Sequence, residues 1–518
     1  MTMMRRRRFI QGTAGALCLT GCEARKGIRG EIVGQSHALG HRLRDGLALG
    51  SAARKVGTEV VVVGAGISGL VAALRLQQAG VERITLLDME AEVGGNARSG
   101  VNGISKYPWG AHYVPVPGAD AHEVGRLFEE LGVITGRDAA GRAVFDDRYV
   151  CGDPVERLLV NGVWQEGLVP TLGASKGELE EMERFLARME ELKGMRGVDG
   201  KRVFEIPVDE SSMDGNWREL DLMTMEAWMT REGFVGERVR WLVDYACRDD
   251  YGASSAQVSA WAGLHYFASR ESDEVLTWAE GNGWLVARLM EKMKGVTFER
   301  ALVQRIWEEG DRVMAEGLKP DSGEVVRWEA KAAVCALPRF VAQRVVAGLG
   351  VAKGLVYSPW VVANLSWNAT PPPAWDNVLY QGNSLGYVVA THQALNQPFP
   401  QNSVLTWYQT RDQLEPALAR QKMLSRSWES WRDEVLDDLR VAHPDVEDRV
   451  TRLDVMLWGH GMIRPVPGFI TGRERSEMAL SLGRVAFAHT DMSGISIFEE
   501  ACERGAQAAR QVMGWMKG

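Results

Sequence analysis

Apolar residues crowd together up to Val63, stop at Gly64, and return at helical spacing from Ile67 to about Ala79. The compact run reads as a buried strand and the periodic stretch as a helix packed upon it. A second apolar run, Ile84 to Leu87, closes on Asp88, so the pattern spells strand, helix, strand. Farther along, short apolar runs between Phe298 and Pro338 predict a series of strands. Gly281 to Met293 predicts a glycine turn followed by a helix. Arg484 to Val512 predicts a strand, a turn of small residues and a last helix.

The first turn carries chemistry as well as pattern. Gly64 permits a sharp reversal, Gly66 lets a pyrophosphate approach the backbone, and Gly69 lets the helix pack closely on the strand. The first helical turn, which includes Ser68, directs free amides and the positive end of the helix dipole at the phosphates. Asp88 follows Gly64 by 24 residues, the position from which a carboxylate accepts a ribose hydroxyl. These residues predict a dinucleotide site in an α/β protein.

Two further stretches narrow the class. "GGNARSG" spans Gly94 to Gly100, and "YPWGAHYV" spans Tyr107 to Val114. With "RVAFAHTDMSGISIFEEACERGAQAARQV" at the other end, the sequence resembles the flavin-dependent amine oxidase superfamily. That superfamily includes monoamine and polyamine oxidases, carotenoid desaturases and protoporphyrinogen oxidases. The resemblance implies a Rossmann-like FAD-binding domain interleaved with an α+β substrate-binding domain. It assigns residues 56–115, 281–345 and 450–518 to the first, and 116–280 and 346–449 to the second. It also implies that Gly94, Gly95 and Arg98 lie along the FAD pyrophosphate and that Val303 meets the adenine end through its backbone. Gly110, Ala111, Asp491 and Ile497 would complete the cofactor contacts, with His112 near the flavin ring.

Three departures from the family pattern bear on substrate. The strand "YSPWVVANLSWN", Tyr357 to Asn368, lacks the lysine that many family oxidases link to the flavin through water. Ile497 stands where a cage tyrosine is usual, and "AHTD" replaces Ala-Gly-Glu or Ala-Gly-Asp. Candidate pocket residues come from "LWGHGMIRPVPG", Leu457 to Gly468, in which Trp458 would wall an amine cage and His460 would bond flavin or substrate. Arg464 keeps a substrate carboxylate open. Asp249 and Asp250 are expected in a loop, either receiving a distal ammonium or capping a helix.

Composition sets limits. The chain has 518 residues, 45% of them hydrophobic and 25% charged, which is ordinary globular usage. The first 22 residues, "MTMMRRRRFIQGTAGALCLTGC", place four arginines before a short apolar stretch, with Arg6, Arg7 and Phe9 matching a twin-arginine signal. Leu19 to Cys22 resembles a lipoprotein cleavage box. Residues 1–21 are therefore expected to be an export signal, Cys22 a lipidated membrane anchor on the periplasmic or cell-envelope side, and 22–55 a tether with room for one short helix. Removing 1–21 takes the formal charge from −8 to about −12, which argues against nucleic acid and suits a cationic substrate. The remaining cysteines are widely spaced, so no metal site and no essential disulfide are expected.

The leading expectation is oxidation of a primary or secondary amine, polyamine-like first, with dioxygen or another molecule as electron acceptor. Desaturation or isomerisation of an apolar polyene is the alternative. A flavin-binding assembly partner with little turnover is a third.

Overall fold

Val60–Val63, apolar and buried at every position, lies parallel between Ile84–Asp88 and Ala332–Cys335. A computed structural model, describing residues 27–34, 36–394 and 400–517, completes this sheet with Val296–Arg300 on one side and Val485–Phe487 on the other. All four pairings are parallel, so the central strands need cover on both faces and read as unbroken apolar runs. The helix Ile67–Gln78 supplies part of that cover, buried from Ile67 through Leu76. The last helix, Phe498–Lys517, packs across it at Gly505, where a Cβ would lie 2.4 Å from the Ser68 carbonyl oxygen. Three distant parts of the chain thus build one Rossmann-like layer.

The second body is mixed. An eight-stranded sheet contains Val450–Ile463, Tyr357–Trp367 and Ser403–Thr410 as neighbours. Beside it, the helices Lys176–Lys193, Met225–Arg231, Glu237–Tyr251 and Ala260–Ala268 share a core that includes Phe185, Trp228 and Trp261. This is the α/β architecture with an interleaved α+β body that the sequence predicts.

Two boundaries differ. Residues 450–463 were assigned to the cofactor domain, yet they form a long strand of the eight-stranded sheet, paired with Tyr357–Trp367. The span 22–55 was expected to be a tether. Its described part is instead built into the fold: Ile32–Val33 joins the edge of the eight-stranded sheet, and Arg54–Gly57 joins a four-stranded sheet. Between them, Ser36 bonds the Glu90 carboxylate and the helix His37–Arg44 follows. The physical reason is that each short strand satisfies a sheet edge that would otherwise present bare amides and carbonyls. The export signal and Cys22 lie outside the described residues. Among the described residues no helix is long and apolar enough to cross a membrane. Cys151, Cys247, Cys335 and Cys502 are free and buried.

Candidate cofactor and substrate site

The two glycine stretches close on each other at the carboxyl ends of the parallel strands. The Gly94 amide donates to the Ala65 carbonyl at 2.7 Å, and Gly66 bridges Gly94. A Cβ on Gly69 would sit 1.9 Å from the Gly64 carbonyl oxygen, so helix and strand approach this closely only with glycine there. A Cβ on Gly66 would meet nothing within 4 Å, leaving the backbone open to a ligand. Asp88 accepts the Ala65 amide at 2.7 Å and the Glu90 amide at 2.9 Å. Burial pushes its carboxyl up against the pull of those two amides. Each oxygen keeps a lone pair for a hydroxyl. Val303 is the second residue of the neighbouring strand Leu302–Glu309, which follows Ala301, whose amide donates to the Asp88 carbonyl at 2.6 Å. Arg98, buried, stands 3.5 Å from Glu90 and 5.5 Å from the Trp458 ring centroid, with its Nε unpartnered among the described residues.

Beyond the glycines a cavity opens between the Rossmann layer, the eight-stranded sheet and the helix Glu237–Tyr251. Gly110, Ala111 and His112 form one wall, Ile497 and Glu499 another. A Cβ on Gly110 would lie 2.3 Å from the Asn96 carbonyl oxygen. Trp458 and Trp360, cross-strand partners, line the sheet side with Tyr408. The Trp458 indole donates to the Trp109 carbonyl at 2.7 Å, which fixes the ring. His112 Nδ1 lies 3.0 Å from the Gly110 carbonyl, an acceptor only, which assigns the proton to Nδ1. Burial lowers this imidazole to about 4, so it is neutral at physiological pH.

Asp249 and Asp250 also line the cavity, in the last turn of Glu237–Tyr251 rather than in a loop. They are not helix N-caps. Placed there, both meet the negative end of the helix dipole. Tyr113 donates to Asp249 at 3.1 Å, while Arg270 faces Asp250 at 3.6 Å and Glu499 at 3.1 Å. Burial, then the neighbouring Asp250, pushes the Asp249 carboxyl up to about 7. Burial pushes Asp250 up as well, with Arg270 opposing.

Two expected pocket residues are placed elsewhere. Between the pairs Ser358–Met462 and Trp360–Trp458, three residues oppose the single Pro359. This bulge breaks the alternation of faces, and His460 stacks on Phe340 at 4.2 Å instead of lining the cavity. Arg464 is buried on Ser358, its Nε donating to Oγ at 3.1 Å, and is not among the cavity walls. Asp491 is turned inward too. Its Oδ2 accepts the Arg339 amide at 2.7 Å and the Tyr357 hydroxyl at 2.5 Å, and its Oδ1 faces His489 at 3.1 Å. Burial works to raise this carboxyl, but His489 and the hydrogen bonds outweigh it and hold it below the usual range. Asp491 therefore joins the two bodies of the fold.

Sequence reasoning missed Arg270, Glu499, Tyr113, Trp360 and Asn282. Glu499 and Asn282 lie inside stretches singled out for their glycines and helices, but nothing in their spacing marks the side chains. Trp360 Nε1, Asn282 Oδ1 and Glu499 Oε2 are buried at the cavity without hydrogen-bond partners among the described residues. Such atoms are costly unless a ligand satisfies them. Among the described residues no cluster of ligands suited to a metal ion is present.

A family model for NAD(P)-binding Rossmann-like domains matches residues 62–131. Curated protein sequences give no match. Solved structures do. Wild-type putrescine oxidase bound to putrescine is similar over 89% of this chain and 100% of its own, at TM-score 0.64 and 16% identity. Cyclohexylamine oxidase from Brevibacterium oxydans is similar over 89% and 100%, at TM-score 0.63 and 16% identity. A CLA-producing fatty acid isomerase from P. acnes is similar over 88% and 98%, at TM-score 0.62 and 15% identity. The chain shares their fold. It contains a dinucleotide-binding Rossmann-like domain that covers the glycine cradle described above.

Proposed function

We propose that this chain is an FAD-dependent oxidoreductase acting on a primary or secondary amine, with polyamine-like substrates first and amino acids next. One observation carries the reading. Among the described residues, three carboxyl groups, Asp249, Asp250 and Glu499, share a cavity with a single guanidinium, Arg270, and are walled by Trp360, Trp458 and Tyr408. Surplus acid inside aromatic walls suits a cation. The likeness in fold to two amine oxidases supports it.

FAD is the cofactor, and when bound it supplies the two-electron acceptor for hydride from the carbon beside the amine nitrogen. The residues present fit it. Gly64, Gly66, Ser68, Gly69, Gly94, Gly95 and Arg98 would hold the pyrophosphate, Asp88 the ribose and Val303 the adenine end. Gly110, Ala111 and Ile497 would border the ring, with the amides opening the last helix beside it. Trp458 and Trp360 would orient the substrate, and His112, neutral and fixed by Gly110, would leave Nε2 to accept a substrate hydrogen bond. The N-terminal pattern supports export and a lipid anchor at Cys22, both proposals.

A second reading, double-bond isomerisation or desaturation of an apolar polyene, is favoured by the fatty acid isomerase likeness and by the missing lysine. Incubating the purified protein in air with diamines, monoamines, amino acids and a polyunsaturated fatty acid separates the two. Aldehyde trapped from an amine supports the first. Conversion of the fatty acid with no aldehyde from any amine overturns it in favour of the second.

A further inference from the structure

An amine reaches this cavity as its ammonium, because its ordinary pKa lies about three units above neutral. Hydride cannot leave the carbon beside a protonated nitrogen, since the lone pair that drives its departure is engaged. Some group must take one proton first. The three cavity carboxyls are not equivalent for that task. Arg270 lies 3.6 Å from Asp250 and 3.1 Å from Glu499, whereas among the described residues the Asp249 side chain is hydrogen-bonded only by the neutral Tyr113 hydroxyl, at 3.1 Å on Oδ2. Among the described residues no hydrogen bond reaches Asp249 Oδ1, and Asp249 lines the cavity.

We propose that Asp249 takes the proton from the substrate's ammonium: an N–H bond breaks, an O–H bond forms at Oδ1, and neutral amine and neutral carboxyl remain. This rests on the amine reading above. A second observation points to the same ligand. Asn282 and Glu499, 1% and 2% exposed, line the same cavity, and their Oδ1 and Oε2 acceptors are buried without partners among the described residues. An ammonium carries three N–H donors, and Asp249 Oδ1 makes the third acceptor.

The surroundings tune Asp249 for exchange. Asp250 and Tyr245 lie on its own helix, Tyr113 on the strand Tyr113–Pro115, and Tyr266 on the helix Ala260–Ala268. Glu156, Asp376 and Tyr408 face it from the eight-stranded sheet, and Glu499 acts on the neighbouring Asp250. Arg270 is the cation that acts on it among the described residues, and it is shared by two other carboxylates. Burial and Asp250 dominate, and a carboxyl held at about 7 accepts and releases a proton near working pH.

The test compares the holoprotein with its Asp249→Asn, Asp249→Glu and Asp250→Asn variants. One readout is the anaerobic rate of flavin bleaching by 1,4-diaminobutane from about pH 5.5 to 9. The other is the infrared band of a buried protonated carboxyl in the resting protein over the same range. The expected rate rises with pH and levels above about 7; Asp249→Asn lowers it on the order of 100-fold and removes the inflection, and Asp249→Glu restores both in part. The band titrating near 7 disappears in Asp249→Asn and survives in Asp250→Asn. An inflection that persists in Asp249→Asn, or a band lost only with Asp250, overturns the proposal while the amine reading stands. Absence of bleaching by any amine overturns that reading, and the proposal with it.

Discussion

Asp249 shows how much one side chain's setting decides. Its folded pKa is raised to about 7 from an ordinary value near 4, so folding favours the protonated form. The parent protein therefore loses stability as pH rises from about 4 to about 7, and asparagine, which does not titrate, does not. Asp249→Asn is expected to be more stable than the parent at pH 8 by up to about 4 kcal/mol, with the gain vanishing near pH 4. Melting curves at the two pH values check this; equal differences at both would contradict the buried setting. The sequence showed two adjacent acids and no more. That they end a helix beside a cavity depends on Tyr113, Arg270 and Glu499, residues distant in sequence whose approach no local spacing encodes. Trp458 was legible because it precedes a recognisable motif. His460 was misplaced because a bulge opposite Pro359 turned the strand over between two residues that ideal alternation would put on one face.

At the scale of elements, the glycine turn makes a sharp contrast. Gly66 has φ −74°, which any residue adopts, and open space where a Cβ would point. Gly66→Ala is expected to leave the melting temperature of the cofactor-free protein unchanged while weakening FAD binding at least about tenfold, because the methyl group occupies the pyrophosphate's approach. Gly69→Ala, with its Cβ 1.9 Å from the Gly64 carbonyl oxygen, is expected to destabilise the fold itself by about 1–3 kcal/mol. Cofactor titration and thermal melts on both variants check the pair, and equal melting temperatures would contradict it. This unit was the most readable part of the chain, since its pattern is local and its chemistry demands particular residues. The stretch from residue 27 to 57 was the least readable. Its strands are two and four residues long and gain their structure from sheet edges supplied by residues hundreds of positions away.

Across the whole molecule, the buried carboxylate of Asp491 ties the Rossmann layer to the eight-stranded sheet through Tyr357. Its lowered pKa means that the joint contributes stability above the ordinary carboxylate range and loses it as pH falls through the folded value. Tyr357→Phe is expected to cost about 1.5–3 kcal/mol at pH 7 and progressively less toward pH 3, as measured by denaturant unfolding. A cost independent of pH would contradict a hydrogen bond to a charged partner. The interleaving of the two bodies was legible from motifs at both ends of the chain. The assignment of 450–463 was not, because a long apolar strand serves either sheet equally well until its partner is known.

The central claim is that this fold holds FAD beside an acidic, aromatic cavity that accepts amines. Anaerobic titration of the purified, yellow holoprotein with putrescine, monoamines and amino acids, one at a time, tests it most directly. Rapid loss of the oxidised flavin absorbance with one class of amine is the predicted result. Flavin that stays oxidised under every amine, while visibly bound, would contradict the account.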